Sequence, residues 1–261
     1  MSDDEEPLTL SASTLSALQS FYGERDSRLK AFEDLKTAAE STFDASLESS
    51  NPTSSPAVPS TITMDFFTED WNASQFWYTP STASALAEQL LTSSTPSTRI
   101  ACVSAPSVFV ALRNILAERP EAERPQITLL EYDERFAVFG AQFARYDFAH
   151  PTRLPAELKG VFDAIIVDPP FLSADCQTKA ALTVRWLARE WKRPGGEGVG
   201  VRVVACTGER MGELALRLYG PVGVRLTGFE VEHAKGLSNE FRCFANFEAG
   251  DWELLESGGS G

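Results

Sequence analysis

Apolar residues recur along this chain in two rhythms. Between residues 11 and 39, Leu15, Leu18, Phe21, Tyr22, Leu29, Phe32 and Leu35 fall at three- and four-residue steps, the spacing of one face of an α-helix. Ser11 or Ser13 is placed to cap this helix, and Gly23 is a point at which it can divide. Its apolar face needs a partner, and the main domain is the simplest one. From residue 99 onward the rhythm changes to short apolar runs separated by helical patterns. Arg99–Ser104, Gln126–Glu131, Phe162–Val167 and Val199–Cys206 predict strands. Thr82–Leu91, Ser107–Glu118, Glu134–Ala144, Ala174–Lys192 and Glu209–Leu218 predict helices. Two further strands, Val222–Glu232 and Glu240–Glu248, follow without a helix between them. Alternating strands and helices imply an α/β fold with a parallel sheet and right-handed crossovers. The closing strand pair implies an antiparallel insertion at one edge.

The polar stretches divide the chain further. Residues 1–10 predict a disordered acidic tail and 11–39 an N-terminal helix. Residues 40–63, rich in Ser and Thr with Pro52, Pro56 and Pro59, lack the apolar surface to order themselves and predict a flexible linker. Residues 64–250 form the main domain. Residues 251–261, ending Ser257-Gly258-Gly259-Ser260-Gly261, predict a linker-like tail. Pro194-Gly195-Gly196-Glu197-Gly198 precedes a strand rather than a helix, so it is a loop and not a phosphate cradle.

Charge narrows the partners. With 23 Lys+Arg against 37 Asp+Glu in 261 residues, the net charge is −14. Stable nucleic-acid binding rests on Lys and Arg neutralising phosphates, so this balance opposes it and favours a basic partner. No apolar run approaches the roughly 18 residues of a membrane span. The acidic start Met1-Ser2-Asp3-Asp4-Glu5-Glu6 is the opposite of a targeting peptide, which predicts a cytoplasmic protein. Cys102, Cys176, Cys206 and Cys243 form no Cys-x-x-Cys pair, and His150 and His233 are the only histidines. Reduced thiols and no metal site are therefore expected.

The candidate chemistry gathers at predicted strand ends, where ligands of open α/β sheets bind. The β-branched run Ile165-Ile166-Val167 is followed at once by Asp168-Pro169-Pro170-Phe171. Neither proline can donate to a sheet ladder, so the strand ends in a rigid turn that presents a carboxylate and carbonyl oxygens. A strand followed by an acid or amide, two prolines and an aromatic resembles the amino-methylating signature of S-adenosylmethionine-dependent methyltransferases. The first strand exits through Ser104, Ala105, Pro106 and Ser107 without a glycine, where this class commonly has Gly-x-Gly. These small side chains still permit close approach to the backbone, and Ser107 can cap the next helix. Glu131 or Asp133, at the end of the second strand, can accept hydrogen bonds from ribose hydroxyls. Glu131 is the better placed, and Asp133 also suits a helix N-terminus. Asp147 can receive an adenine amino group or serve as a turn acid. Phe76, Trp77 and Tyr78 form an aromatic run before a helix that Thr79 or Ser81 can cap. They can close over a cofactor, line a target channel or clasp the domain edge.

Taken with Gln75-Phe76-Trp77-Tyr78, Arg99–Val108, Glu131–Phe136, Asp168–Phe171 and Asn239-Glu240-Phe241-Arg242-Cys243-Phe244, the chain resembles the lysine methyltransferases of translation elongation factor 1-alpha. The resemblance covers the N-terminal helix and about residues 64–250, and its Ser-Ala-Pro-Ser form accounts for the missing glycines. The Ser/Thr/Pro stretch and the Gly-rich loop look like insertions. The resemblance implies a seven-stranded class I methyltransferase (Rossmann-like) fold, mostly parallel with an antiparallel edge strand. It implies S-adenosylmethionine as methyl donor and a lysine of elongation factor 1-alpha, a basic protein, as acceptor. By this resemblance Asp168, Pro169 and Phe171 carry catalysis. Ser104, Ala105, Ser107, Glu131, Asp133, Asp147 and Trp77 hold the cofactor, and Phe171, Trp77, Tyr78 and Asn239 meet the substrate. A monomer is expected. Two rivals stay open: an adenine-N6 methyltransferase with Phe171 stacked on a flipped base, and an adaptor that has lost its cofactor.

Overall fold

The computed structural model describes residues 11–48, 61–70, 74–194, 200–236, 240–250 and 252–255. The chain divides into two units. The first holds one long helix, α1 (Ala12–Glu48), together with Asp65–Phe67. Ser11 caps α1, its Oγ accepting the Thr14 N–H at 3.2 Å. Gly23 does not split the helix. Its carbonyl accepts the Ser27 hydroxyl at 2.8 Å, and the helix continues through Glu48, well beyond the expected boundary at residue 39. The linker predicted over 40–63 is therefore helical in its first part, and 49–60 lie outside the described residues. Phe21 and Tyr22 pack edge to face at 5.9 Å between ring centres, as do Phe32 and Phe67.

The second unit is built on a seven-stranded sheet in the order β3-β2-β1-β4-β5-β7-β6. Its strands are β1 (Arg99–Val103), β2 (Gln126–Glu131), β3 (Phe143–Arg145), β4 (Ala164–Val167), β5 (Arg202–Gly208), β6 (Arg225–Glu230) and β7 (Phe241–Ala245). β1 to β5 run parallel, with Ile100 opposite both Ile127 and Ala164. β7 runs antiparallel to both β5 and β6 and lies between them. Helices α2 (Pro80–Leu91), α3 (Pro106–Ala117), α4 (Ala174–Leu187) and α5 (Gly212–Tyr219) complete the main elements. This is the class I methyltransferase architecture that the resemblance implied. Among the described residues no helix is long and apolar enough to cross a membrane.

Burial explains the central strands. Ile165, Ile166 and Val167 of β4 are fully enclosed, as a parallel strand covered on both faces requires. Four departures from the sequence pattern have local causes. Glu134–Ala144 is not an α-helix: residues Glu134–Gln142 form 3₁₀ turns interrupted at Gly140 (φ 56°), and the chain then enters β3. Phe136 and Phe139 still pack together, because a three-residue step is shared by both helix types. α4 ends at Leu187, short of Lys192, because the chain turns to place Ala188 beside Phe162. The tail expected over 251–261 is partly structured. Trp252 is buried and donates from its indole to the Phe247 carbonyl, and the Leu255 N–H reaches the Leu226 carbonyl along β6. Residues 61–63 are likewise anchored, since Ile62 exchanges two hydrogen bonds with the Asn114 amide.

One buried polar side chain ties the end of the sheet where β5 begins. The Asn246 amide donates to the carbonyls of Val201 (2.8 Å) and Val222 (3.0 Å), and its oxygen accepts the Val203 N–H (2.8 Å). All four cysteines are free and buried.

Candidate active site

At the opposite end of the sheet the carboxyl ends of β1 to β4 converge on a cavity of about 970 Å³. β1 leaves the sheet through Ser104, which adopts a left-handed backbone (φ 51°) and donates its N–H to the Leu130 carbonyl at 2.8 Å. A non-glycine residue there costs about 1–2 kcal/mol, and such strain concentrates at functional sites. Pro106 opens α3, and Ala105 stands at the cap position without a side-chain bond. Ser107 does not cap the helix as expected. Its buried Oγ accepts the Tyr78 N–H at 3.2 Å.

Glu131 ends β2 with its carboxylate buried. Oε1 accepts the N–H groups of Tyr132 (2.8 Å) and Asp133 (3.2 Å), which fixes the group at the cavity wall. Asp133 sits elsewhere. It caps the following turn through the Arg135 N–H, grips the Arg135 guanidinium at 2.6 Å and accepts the Gln75 amide at 2.9 Å. It is not among the residues lining the cavity. The sequence offered Asp133 beside Glu131 as a cofactor-holding acid; here its carboxylate is engaged by Arg135, because an acid two residues before an arginine is drawn to that charge. β3 exits through Tyr146, Asp147 and Phe148, all cavity-lining, and Asp147 accepts the Ala149 N–H. β4 exits through Asp168, whose N–H bonds the Val103 carbonyl at 3.0 Å. Pro169, Pro170 and Phe171 follow along the wall, and the Phe171 ring packs on Phe148 at 5.5 Å.

The aromatic run closes the remaining side. Trp77 and Tyr78 are buried rather than displayed, and both line the cavity with Gln75 and Phe76. Residues 77–79 pair with the connection between β6 and β7. The Ala234 N–H meets the Trp77 carbonyl (2.8 Å), the Thr79 N–H meets the Glu232 carbonyl (2.9 Å), and Tyr78 and His233 form an antiparallel bridge. The enclosed side chain of Glu69 reinforces this strap, accepting the Trp77 N–H at 2.9 Å and the Lys235 ammonium at 3.0 Å. Thr79 caps α2 through the Thr82 N–H.

The enclosed walls reset the titrating groups. The Asp168 carboxylate, open only toward the cavity, is pushed by burial to about 7; the Tyr78 hydrogen bond opposes the rise and the charge of Glu131 adds to it. Burial likewise lifts Glu131 to about 7 against the pull of its two backbone N–H partners. His233 is pressed down to about 4 by burial, so its ring is neutral at physiological pH, and its buried Nε2 has no hydrogen-bond partner among the described residues. Two carboxyls that titrate near neutrality, set in aromatic walls, suit proton handling at a bound ligand.

Of the residues expected here, Trp77, Tyr78, Ser104, Ala105, Ser107, Glu131, Asp147, Asp168, Pro169 and Phe171 line one cavity. Asn239 lies outside the described residues. His233, Arg210, Tyr146 and the Glu69–Lys235 pair were not expected. His233 carries a weak signal as one of two histidines, standing before the closing strand; the others carry none, since their partners are distant in sequence.

The family model described as probable N6-adenine methyltransferase matches residues 69–249. Among curated proteins, Protein-lysine N-methyltransferase EFM5 of Saccharomyces cerevisiae is 39% identical over 252 residues, covering 94% of each chain. EEF1A lysine methyltransferase 1 of Homo sapiens is 35% identical over 251 residues, covering 96% of each. Among solved structures, a predicted O-methyltransferase from Agrobacterium tumefaciens aligns over 62% of this chain and 78% of its own, with 14% identity and a TM-score of 0.42.

Proposed function

This chain belongs to the family of the elongation-factor lysine methyltransferases, described at domain level as probable N6-adenine methyltransferases, and from that premise we propose that it transfers methyl groups from S-adenosylmethionine to a lysine of translation elongation factor 1-alpha in the cytoplasm. The observation that carries the reading is Asp168-Pro169-Pro170-Phe171 at the β4 exit, facing the same cavity as Glu131.

The residues present fit the cofactor. Glu131, held through one oxygen by two backbone N–H groups, offers its other oxygen to ribose hydroxyls. Ser104 and Ala105 turn small side chains to the cavity where a methionine moiety approaches the backbone, and Asp147 suits an adenine amino group. Trp77 walls the same space. When bound, S-adenosylmethionine supplies a methyl group on a positively charged sulfur.

The chain's own task is the acceptor. A free lysine has a pKa of about 10.4, so its neutral form at pH 7 costs roughly 4–5 kcal/mol. A buried channel lowers that cost by disfavouring the ammonium. Asp168, titrating near neutrality, can take the ammonium proton and release it to solvent before transfer; ionised again, its carboxylate and the Pro169 carbonyl accept the amine N–H groups and aim the lone pair. Phe171, Trp77 and Tyr78 wall the aliphatic stem, with cation–π attraction while the amine is charged. Rate then comes mainly from orientation.

The net charge of −14 suits a basic protein partner and opposes a nucleic-acid one. The test is transfer of labelled methyl from S-adenosylmethionine to purified elongation factor 1-alpha, beside RNA and DNA, with Asp168→Ala as control. Label on the protein, lost with Asp168→Ala, is the expected result. Label on nucleic acid overturns the reading in favour of adenine methylation. No melting shift with S-adenosylhomocysteine overturns it in favour of an adaptor.

A further inference from the structure

We infer that Tyr78 is the positioning residue of this site: its phenol holds one oxygen of Asp168 so that the other is presented to the acceptor amine. The inference deepens the methyltransferase reading and rests on it for the identity of the acceptor.

The Tyr78 hydroxyl donates to Asp168 Oδ2 at 2.5 Å, across 90 residues of sequence. Among the described residues, Asp168 Oδ1 accepts no hydrogen bond, and Asp168 lines the cavity. A carboxylate tied at one oxygen has a preferred plane. An untied one rotates about its own bond, and displacements on the order of 1 Å at a reacting group can cost about 100-fold in rate. Tyr78 is well built to hold it. The ring is 4% exposed, and burial raises the phenol far above its ordinary range, so it stays a donor at any working pH. Its backbone N–H is spent on Ser107 Oγ, its main chain bridges His233, and its ring packs edge-on to the His233 ring at 5.1 Å. The phenol therefore has little freedom to leave Asp168.

The bond also acts on charge. A donor to the ionised form favours it, so Tyr78 offsets part of the burial that pushes Asp168 up. The other titratable or charged groups near Asp168 come from separate elements: Glu131 at the end of β2, Cys206 in β5, Cys176 in α4, Arg210 after β5, and His233 from the β6–β7 connection. Tyr78 differs from all of them in donating a hydrogen bond to the carboxylate, so deleting its hydroxyl should change Asp168 first.

Tyr78→Phe keeps the ring and removes the hydroxyl. The expected result is a 10- to 100-fold loss in kcat at pH 6.5 that narrows by pH 8.5, with KM for S-adenosylmethionine within about twofold of wild type. The loss should vanish in an Asp168→Asn background, because the two groups act as one unit. A loss of equal size at every pH, or losses that multiply in the double variant, overturns the inference. A second readout does not depend on turnover. The ¹³C carboxyl signal of Asp168, in protein labelled at aspartate, should titrate at higher pH in Tyr78→Phe than in wild type. An unshifted titration overturns the positioning role even if the protein methylates its partner. A shifted titration in a protein that methylates nothing upholds the Tyr78–Asp168 coupling and removes only the methyltransferase reading.

Discussion

Two polar side chains, Asn246 and Asp168, sit at opposite ends of one sheet and are treated in opposite ways. Asn246 has its amide oxygen and both carboxamide protons matched to backbone partners at 2.8–3.0 Å. At the other end, among the described residues, cavity-lining Asp168 has one oxygen bonded and one without a partner, Glu131 has two backbone bonds to a single oxygen, and the buried His233 Nε2 has none. Both arrangements remove polar atoms from water, yet only the first repays that cost fully within the fold. The second leaves groups whose missing partners must come from outside. Matched polar groups hold the sheet, and unmatched ones mark where a ligand completes it.

The comparison breaks most visibly at Asp168. Asp168→Asn keeps an oxygen for the Tyr78 hydroxyl but can no longer take a proton from the amine. Turnover measured with labelled donor should fall at least 100- to 1,000-fold, a loss on the scale of a positioned acid–base group, while the melting temperature of the ligand-free protein at pH 8 stays level or rises. A fall in stability comparable to the loss of activity would make Asp168 a structural residue like Asn246. The converse holds at the far end. Asn246→Ala leaves three backbone groups without partners and should cost about 3 kcal/mol, a drop of roughly 6–12 °C in Tm for a domain of this size. Below that drop, S-adenosylhomocysteine affinity measured by calorimetry should be unchanged.

The smallest effect is a difference in pH dependence. Asp168 and Glu131 are both raised to about 7 in the folded chain from ordinary carboxyl values near 4. The native state therefore holds protons that the unfolded state has released, and stability falls as pH rises from about 4 to 7, by at most about 1.4 kcal/mol per pH unit for each group. His233, lowered to about 4 from an ordinary value of 6.5, acts in the opposite sense over most of this window. It cancels when wild type is compared with the Glu131→Gln, Asp168→Asn double variant. Denaturant melts at half-unit intervals should show wild type losing stability relative to the double variant across this window; parallel curves would mean that the two carboxyls are not held up by the fold.

How much of this was legible in the sequence follows from the range of each interaction. β4 and its exit were, because Ile165–Phe171 carries strand, stop and chemistry in one local run. Glu131 was, from its position at the end of a periodic strand. β3 was not: three residues are too few for a period, and the phenylalanines before it fit an α-helix as well as the 3₁₀ turns that form. The terminal segment at 252–255 was not, because Trp252 looks like any residue in a polar tail until β6 is there to receive it. The Tyr78–Asp168 bond was hidden for the same reason. Each residue was expected at the site, but nothing in either local sequence names the other as its partner.

The position of β7 has a consequence for how this protein is made. β6 leaves the ribosome before β7, yet β7 must enter between β5 and β6. Until residue 245 has emerged, β5 keeps a bare hydrogen-bonding edge, and the connection carrying His233 has no anchored strand beyond it to hold it over Tyr78. The sheet grows outward from β1 in the order of synthesis on one side and is finished out of order on the other. A nascent chain halted after β6 should therefore remain sensitive to protease and to chaperone capture, and the cavity should acquire its last wall in the same step that completes the sheet.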